Sequence, residues 1–352
     1  MHFDFNEDQR FLHQTVRDFL EAECPADRIR GFWDTETGRS PELWNQLAEL
    51  GIPGLLVPEA FGGLSMNEID LALLLEETGR AALCEPVVAT AVGTALLIES
   101  EDRARTEAWL PQVASGEARL AVGYTQSPFV ADAHVANLLL LPSGDEVHAL
   151  LPGEVKLEAQ PSNDGSQRLF RVFFEPSESS CLAKGAAGRA LLDSALDRGA
   201  FACAAEALGV ADRLIELAVQ YAAQRVQFGV PIGSFQAVKH MLADVKVKLE
   251  YARSHVYRAS HSVAHAGASR ALDSSMAKLA ACDAAREAAK ISLQVHGAIG
   301  YTYEQDVHVW MKRAWSLDLA YGDPVFHRER LCRAVIDNAP PAQSFGYSFE
   351  GA

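Results

Sequence analysis

The sequence predicts a mainly α-helical protein with a small β domain in its middle. Three observations carry that expectation. Capping signals and helical apolar spacing fill the first third. Short apolar runs separated by turn residues follow between about 120 and 183. Long apolar seams with steps of three and four then run from about Gly188 onward. The expected boundaries are an N-terminal helical domain over 1–117, a reduced, barrel-like β domain over 118–184, a C-terminal four-helix bundle over 185–340 and a tail over 341–352.

Each element has its own local cause. Asn6 and Gln9 form a capping-box pair, and Phe11, Leu12, Val16, Phe19 and Leu20 give the next helix one apolar face. Cys24-Pro25 ends it. Ser40-Pro41-Glu42 opens a second helix, since proline suits the first helical position, and Gly51 closes it. The string GIPGLLVPEAFGG (51–63) is irregular. Ser65 and Glu68 read as another capping box, before a helix running to about Arg80. There Leu71, Leu73, Leu74 and Leu75 point several ways, which implies burial. Residues 138–141, the turn Pro142-Ser143-Gly144-Asp145 and residues 147–151 read as a hairpin. Leu169, Phe170, Val172, Phe173 and Phe174 make a further strand.

The bundle helices follow. The first carries Val210, Leu214, Leu217 and Tyr221. The second carries Val238, Leu242, Val245, Leu249, Ala252, Val256, Ala259 and Val263. Leu272, Met276, Leu279, Ile291 and Val295 mark a third, filled with alanines that permit close approach. A fourth covers about 324–338.

Composition excludes several functions. At 352 residues and 49% hydrophobic, the chain is too apolar for disorder. Its 31 basic against 47 acidic residues give a net charge of −16, which argues against nucleic-acid binding but not against one small basic pocket. The acidic start shows no signal peptide, and no apolar run approaches the roughly 20 residues that span a bilayer. Cys24, Cys84, Cys181, Cys203, Cys282 and Cys332 form no CxxC pair, as expected for reduced thiols in a cytoplasmic protein. His240, His296, His308 and His327 lack metal-ligand spacing. Ser234, Ser260 and Ser262 lack a nucleophile-elbow setting.

Two loops carry chemistry. RVQFGVPIGSFQAVKH (225–240) puts Arg225 beside amides and glycines, and QVHGAIGYTYE (294–304) repeats the theme. Arginine can grip a pyrophosphate with charge-assisted hydrogen bonds, and glycines let backbone N–H groups approach it. Taken singly, either loop is better explained by helix capping.

Together, and with Lys312-Arg313, the opening MHFDFNEDQ and the VPEAFGG segment, these strings strongly resemble the acyl-CoA dehydrogenase family over nearly the whole chain. The resemblance implies an N-terminal helical domain, a middle β domain and a C-terminal four-helix bundle. It also implies FAD as cofactor, CoA thioesters as substrates and an electron-transfer flavoprotein or similar acceptor. In that family the two loops reach the ADP half of an FAD seated mainly in a neighbouring subunit. Arg225, Gln227, Phe228, Gln294 and Gly297 match that pattern.

The chain also departs from the family. The family's catalytic Glu falls in a Tyr-Glu-Gly-Thr string; counted without gaps it lands here on Tyr321, in Ala320-Tyr321-Gly322-Asp323, and with a one-residue slide on Gly322, neither of which is a base. The alternative Glu of a Leu-Asp-x-Glu-Arg string meets Leu196-Asp197-Arg198-Gly199-Ala200. No catalytic residue is therefore assigned. Asp323 is the nearest carboxylate, and a helix N-cap is the stronger reading of it. In Thr125-Gln126-Ser127-Pro128-Phe129-Val130-Ala131-Asp132 the flavin-contacting Gly-Ser pair is lost. A chain with a damaged flavin seat but intact contacts to a neighbour's flavin resembles the base-lacking subunit of heteromeric, actinobacterial steroid side-chain dehydrogenases. That implies a Glu-bearing paralogue as partner, an α2β2 assembly, and neither nucleic acid nor membrane insertion. A self-sufficient flavoenzyme with an unusual base, and a homologue that has lost flavin, stay open.

Overall fold

The computed structural model describes residues 4–337 and the short strands Gln343–Ser344 and Tyr347–Ser348. The first three residues of the opening motif, Asn338 and most of the expected tail lie outside the described residues.

Six helices come first: α1 (Glu7–Glu23), α2 (Ala26–Trp33), α3 (Pro41–Glu49), α4 (Glu68–Arg80), α5 (Val87–Glu99) and α6 (Arg103–Ala114). The Asn6–Gln9 capping box forms, and the Leu43 N–H donates to Ser40 Oγ. One expectation moves. The cap of α4 is Asn67, in a box with Asp70, while Ser65 accepts the Glu59 N–H from a loop position with φ +51°. Ser65 turns its hydroxyl to the preceding turn, and the Asn67 side chain takes the free N–H at the start of α4.

Seven strands follow: β1 (Leu120–Val122), β2 (Phe129–Ala131), β3 (Leu138–Ser143), β4 (Glu146–Leu150), β5 (Lys156–Gln160), β6 (Leu169–Phe173) and β7 (Cys181–Ala183). They form two sheets, in the orders β1-β3-β4-β7 and β2-β6-β5. The predicted hairpin is β3–β4, and Ser143 pairs with Glu146 across Gly144-Asp145.

The remainder is helical: α7 (Gly185–Gln224), α8 (Gln236–Ala264), α9 (Arg270–His296), α10 (Val307–Leu319) and α11 (Pro324–Cys332). A two-stranded turn, β8 (Val226–Gln227) with β9 (Val230–Pro231), joins α7 to α8. The expected fourth helix begins at Pro324 as α11 and continues as a π turn over Arg333–Asp337, while α10 is a further helix that was not expected. α11 stops at Cys332, and α10, whose Val307, Val309, Trp310, Ala314 and Leu317 are buried, packs against α7 and α9. The α9 face also differs from expectation. Ala277, Ala281, Ala285 and Ala288 are buried against the bundle, and Leu272, Met276 and Leu279 are only half-buried. Small side chains let α9 lie close to α7, and the larger ones fill the shoulder of that contact.

One apolar core runs from Val16 and Leu20 through Trp44, Leu74 and Leu75 to Phe201, Leu208, Leu249 and Ala281. The N-terminal helices and the bundle therefore share their interior. Where α4 crosses α7 the backbones nearly touch: a Cβ on Gly209 would lie 1.8 Å from the Glu76 carbonyl oxygen, and one on Gly79 2.0 Å from that of Glu206. This crossing fixes α7 beneath the cleft described next.

Candidate active site

A cleft of about 730 Å³ opens between the α4–α5 turn, the β domain, α7 and the α10–α11 segment. Tyr321 stands on its wall. Its backbone takes φ +53°, and its carbonyl accepts from His327 Nε2 at 3.0 Å. A carbonyl can only accept, so Nε2 carries the imidazole hydrogen and Nδ1 takes one from Ser275 Oγ at 3.1 Å. Burial holds that imidazole neutral, with its pKa lowered to about 4. The buried Lys278 ammonium donates to the Asp318 and Gly322 carbonyls on either side of Tyr321. Asp323 caps α11 by accepting the Phe326 N–H at 2.8 Å. The whole turn is pinned.

The pinned turn throws the Tyr321 ring inward. It stacks on Tyr124, centroids 4.4 Å apart and planes 20° from parallel, and lies flat on Gly199 of α7. A Cβ at Gly199 would stand 2.0 Å from Tyr321 Cδ1. One ring therefore occupies both places where the sequence comparison looks for a carboxylate. The only carboxylate of the Leu196–Ala200 string, Asp197, is buried and paired with Arg270 and Arg330. Gly199→Ala is expected to destabilise the chain by about 1–3 kcal/mol through overpacking. The same change in a Tyr321→Ala background should have almost no effect. Urea unfolding of the four proteins reads this, and a Gly199→Ala chain as stable as wild type would contradict the packing.

Beyond Tyr321 the floor turns polar. Arg313 is buried, donating to Asp164 Oδ2 at 2.8 Å and to the carbonyls of Ala82 and Leu83. It ties the segment before β6 to the α4–α5 turn. Glu206, on α7, has Oε1 3.1 Å from Thr78 Oγ1, whose single hydrogen also faces the Leu75 carbonyl at 2.9 Å. Burial raises the Glu206 pKa, and the nearby Arg313 charge opposes that. Burial also pushes the Cys203 thiol up to about 12, so it is an un-ionised, inert thiol at neutral pH.

In the 125–132 string Thr125 and Gln126 are exposed, while two other polar side chains are engaged within the chain. Ser127 Oγ takes the Phe129 N–H at 3.1 Å, and Asp132 is ion-paired with the buried Arg39.

The two loops picked out from the sequence meet at one end of the bundle. Tyr221 stacks on His296 at 4.4 Å, and Ala222, Ile232 and Val295 pack together. Arg225 lies four residues beyond Tyr221 as the C-cap of α7, while Gln294 and Gly297 flank Val295 and His296. Arg225 and Gln294 are exposed, and Arg225 makes no ion pair among the described residues. Phe228 is 94% exposed at the tip of the β8–β9 turn. Gln227 folds back onto the Val226 carbonyl. Gly297 caps α9 with φ +65° and ψ −143°, a conformation that glycine tolerates best.

Residues 6–117 match the family model "Acyl-CoA dehydrogenase, N-terminal domain", and residues 186–336 match "Acyl-CoA dehydrogenase, C-terminal domain". "Acyl-CoA dehydrogenase IpdE2" of Mycobacterium tuberculosis is 32% identical over 88% of this chain and 91% of its own length. The chain belongs to the acyl-CoA dehydrogenase family. Its fold is that of butyryl-CoA dehydrogenase from Megasphaera elsdenii, with a TM-score of 0.86 at 22% identity, covering 96% of this chain and 100% of the other. A chain of the ChsE4–ChsE5 complex from Mycobacterium tuberculosis is similar at TM-score 0.85 and 22% identity, over 96% and 100%.

In this acyl-CoA dehydrogenase family chain, sequence reasoning passed over Glu206, Lys278 and the role of Gly199. Glu206 had a signal: it is the single charge in the otherwise apolar stretch Ala200–Val210 of α7. Gly199 had none, because its significance lies in a ring more than a hundred residues away.

Proposed function

We propose that this chain is the base-lacking subunit of a hetero-oligomeric, FAD-dependent acyl-CoA dehydrogenase in the cytoplasm. In an α2β2 assembly it would work beside a paralogue that carries the catalytic Glu. The reaction is α,β-dehydrogenation of a CoA thioester, of the steroid side-chain type, with electrons passing to an electron-transfer flavoprotein. One observation carries the reading: the Tyr321 ring lies on Gly199, so neither family position for the base holds or has room for a carboxylate. Abstraction of a weakly acidic α-proton needs a positioned base, and the partner would supply it. Asp323 is committed to its cap, which counts against the version of a self-sufficient enzyme that uses it as the base.

The cofactor reading rests on the contrast between two surfaces. On the bundle end, the free Arg225 guanidinium, Gln294 and the open backbone at Gly297 suit the pyrophosphate and ADP of a neighbour's FAD, with Gln227 and Phe228 beside them. Within the chain, Ser127 and Asp132 already have partners and fit a flavin poorly. When bound, FAD accepts the β-hydride, and the proteins position it. The ChsE4–ChsE5 complex, one chain of which is similar to this one in fold, supports a hetero-complex. No described helix is long and apolar enough to cross a membrane.

Expressed alone, the chain is expected to be colourless and inactive. Co-expressed with a Glu-bearing paralogue, it should copurify as a yellow, active complex. A yellow and fully active chain by itself would refute the proposal, and a complex devoid of flavin would favour a non-catalytic role.

A further inference from the structure

Five carboxylates line the cleft: Glu85, Asp132, Asp164, Glu206 and Asp323. Four are committed or sealed. Asp132 and Asp164 are ion-paired, and Asp323 caps α11. Glu85 takes the Ser40 N–H, and its side chain is wholly shielded. Glu206 differs. It is 8% exposed, and among the described residues no donor reaches its Oε2. Its Oε2 is open to the cleft, unlike the sealed Glu85 Oε2; when an apolar ligand fills that cavity the oxygen loses its water and needs a partner from the ligand.

The surroundings define what would satisfy it. Cys203 and Glu206, three residues apart on α7, both line the cleft, and Gly199, four residues before Cys203 on the same stripe, lies under the Tyr321 ring. Glu206 lies about 10 Å along the axis from the Tyr321 contact. The walls between are mostly apolar: the Tyr124–Tyr321 stack, Cys203 and Phe129. Trp315 and Leu319 line the cleft while exposed to solvent, 46% and 67%, and so form an apolar rim.

We infer that this chain's own cleft is a binding site that holds an otherwise apolar, hydroxyl-bearing acyl group without converting it, and that Glu206 selects the hydroxyl. A hydroxyl both donates and accepts, so it satisfies Oε2 whether the carboxyl is ionised or protonated. A ketone could only accept, and an alkyl end would leave Oε2 dry and unpaired. That the group is held unconverted rests on the base-less reading above; selection by Glu206 does not.

The test is calorimetric titration of the full chain with octanoyl-CoA and with 8-hydroxyoctanoyl-CoA, flexible probes that differ by one hydroxyl. The hydroxylated probe should bind at least about five-fold tighter. Glu206→Gln, which keeps shape and hydrogen bonding, should retain the preference, and Glu206→Leu should abolish or invert it. Equal or weaker binding of the hydroxylated probe to wild type overturns the selection, with no variant needed. A preference that survives in a folded Glu206→Leu chain overturns the assignment to Glu206. Failure of both probes to bind overturns the site. Enoyl-CoA formation by the chain alone would instead overturn the base-less reading, leaving the hydroxyl preference to stand on the titrations.

Discussion

Arg225→Ala is expected to weaken FAD retention in the co-purified complex by about 10- to 100-fold, with the complex still assembled. The guanidinium is exposed, unpaired among the described residues, and carried on the C-cap of α7 with no part in the core. Its loss should leave folding almost untouched while removing charge-assisted hydrogen bonds of about 1.5–3 kcal/mol to the phosphates. Arg225→Lys should fall between, because a point charge replaces a bidentate fork. The flavin-to-protein absorbance ratio after gel filtration measures the effect. Unchanged flavin in Arg225→Ala would remove this loop from the cofactor site.

Arg313→Met should have the largest effect on stability, about 3–5 kcal/mol. It strips the cation from a buried pair and leaves Asp164 uncompensated in a dry interior. Three segments lose their tie at once: the chain before β6 at Asp164, the α4–α5 turn at Ala82 and Leu83, and α10 itself. Adding Asp164→Asn should recover part of the loss, since the orphaned charge goes with it. Urea denaturation of the wild type, both single variants and the double variant would show that coupling. Additive losses would mean that Arg313 and Asp164 do not act as a pair.

Much of the architecture was legible in local chemistry. The Asn6–Gln9 box, Ser40-Pro41 and the Gly144-Asp145 turn each act within a few residues, so spacing alone exposes them. The 3–4 seam of α8 became a buried stripe from Val245 to Val263 for the same reason. The two loop strings are short and contiguous, and the structure brings them together at one end of the bundle. Errors arose where two local readings competed. Ser65 and Asn67 both look like caps, and only the demand of the Glu59 N–H decides between them. α10 was missed because Lys312-Arg313 reads as a polar motif, whereas Arg313 is turned inward and buried against Asp164.

The sequence by itself determined the family, the helix–β–helix order of its parts, and the absence of a Glu from the two strings where the family keeps its base. Those are properties of contiguous residues. Only the tertiary structure decided what stands in the vacated place. Tyr321, Tyr124 and Gly199 are far apart in the chain, and the last contributes by having no side chain at all. The same holds for Glu206, whose place on the cleft depends on α7 crossing α4 at the close contacts of Gly79 and Gly209. Packing at that distance leaves no periodic trace in the sequence, because each residue answers to a partner on another element and not to its neighbours.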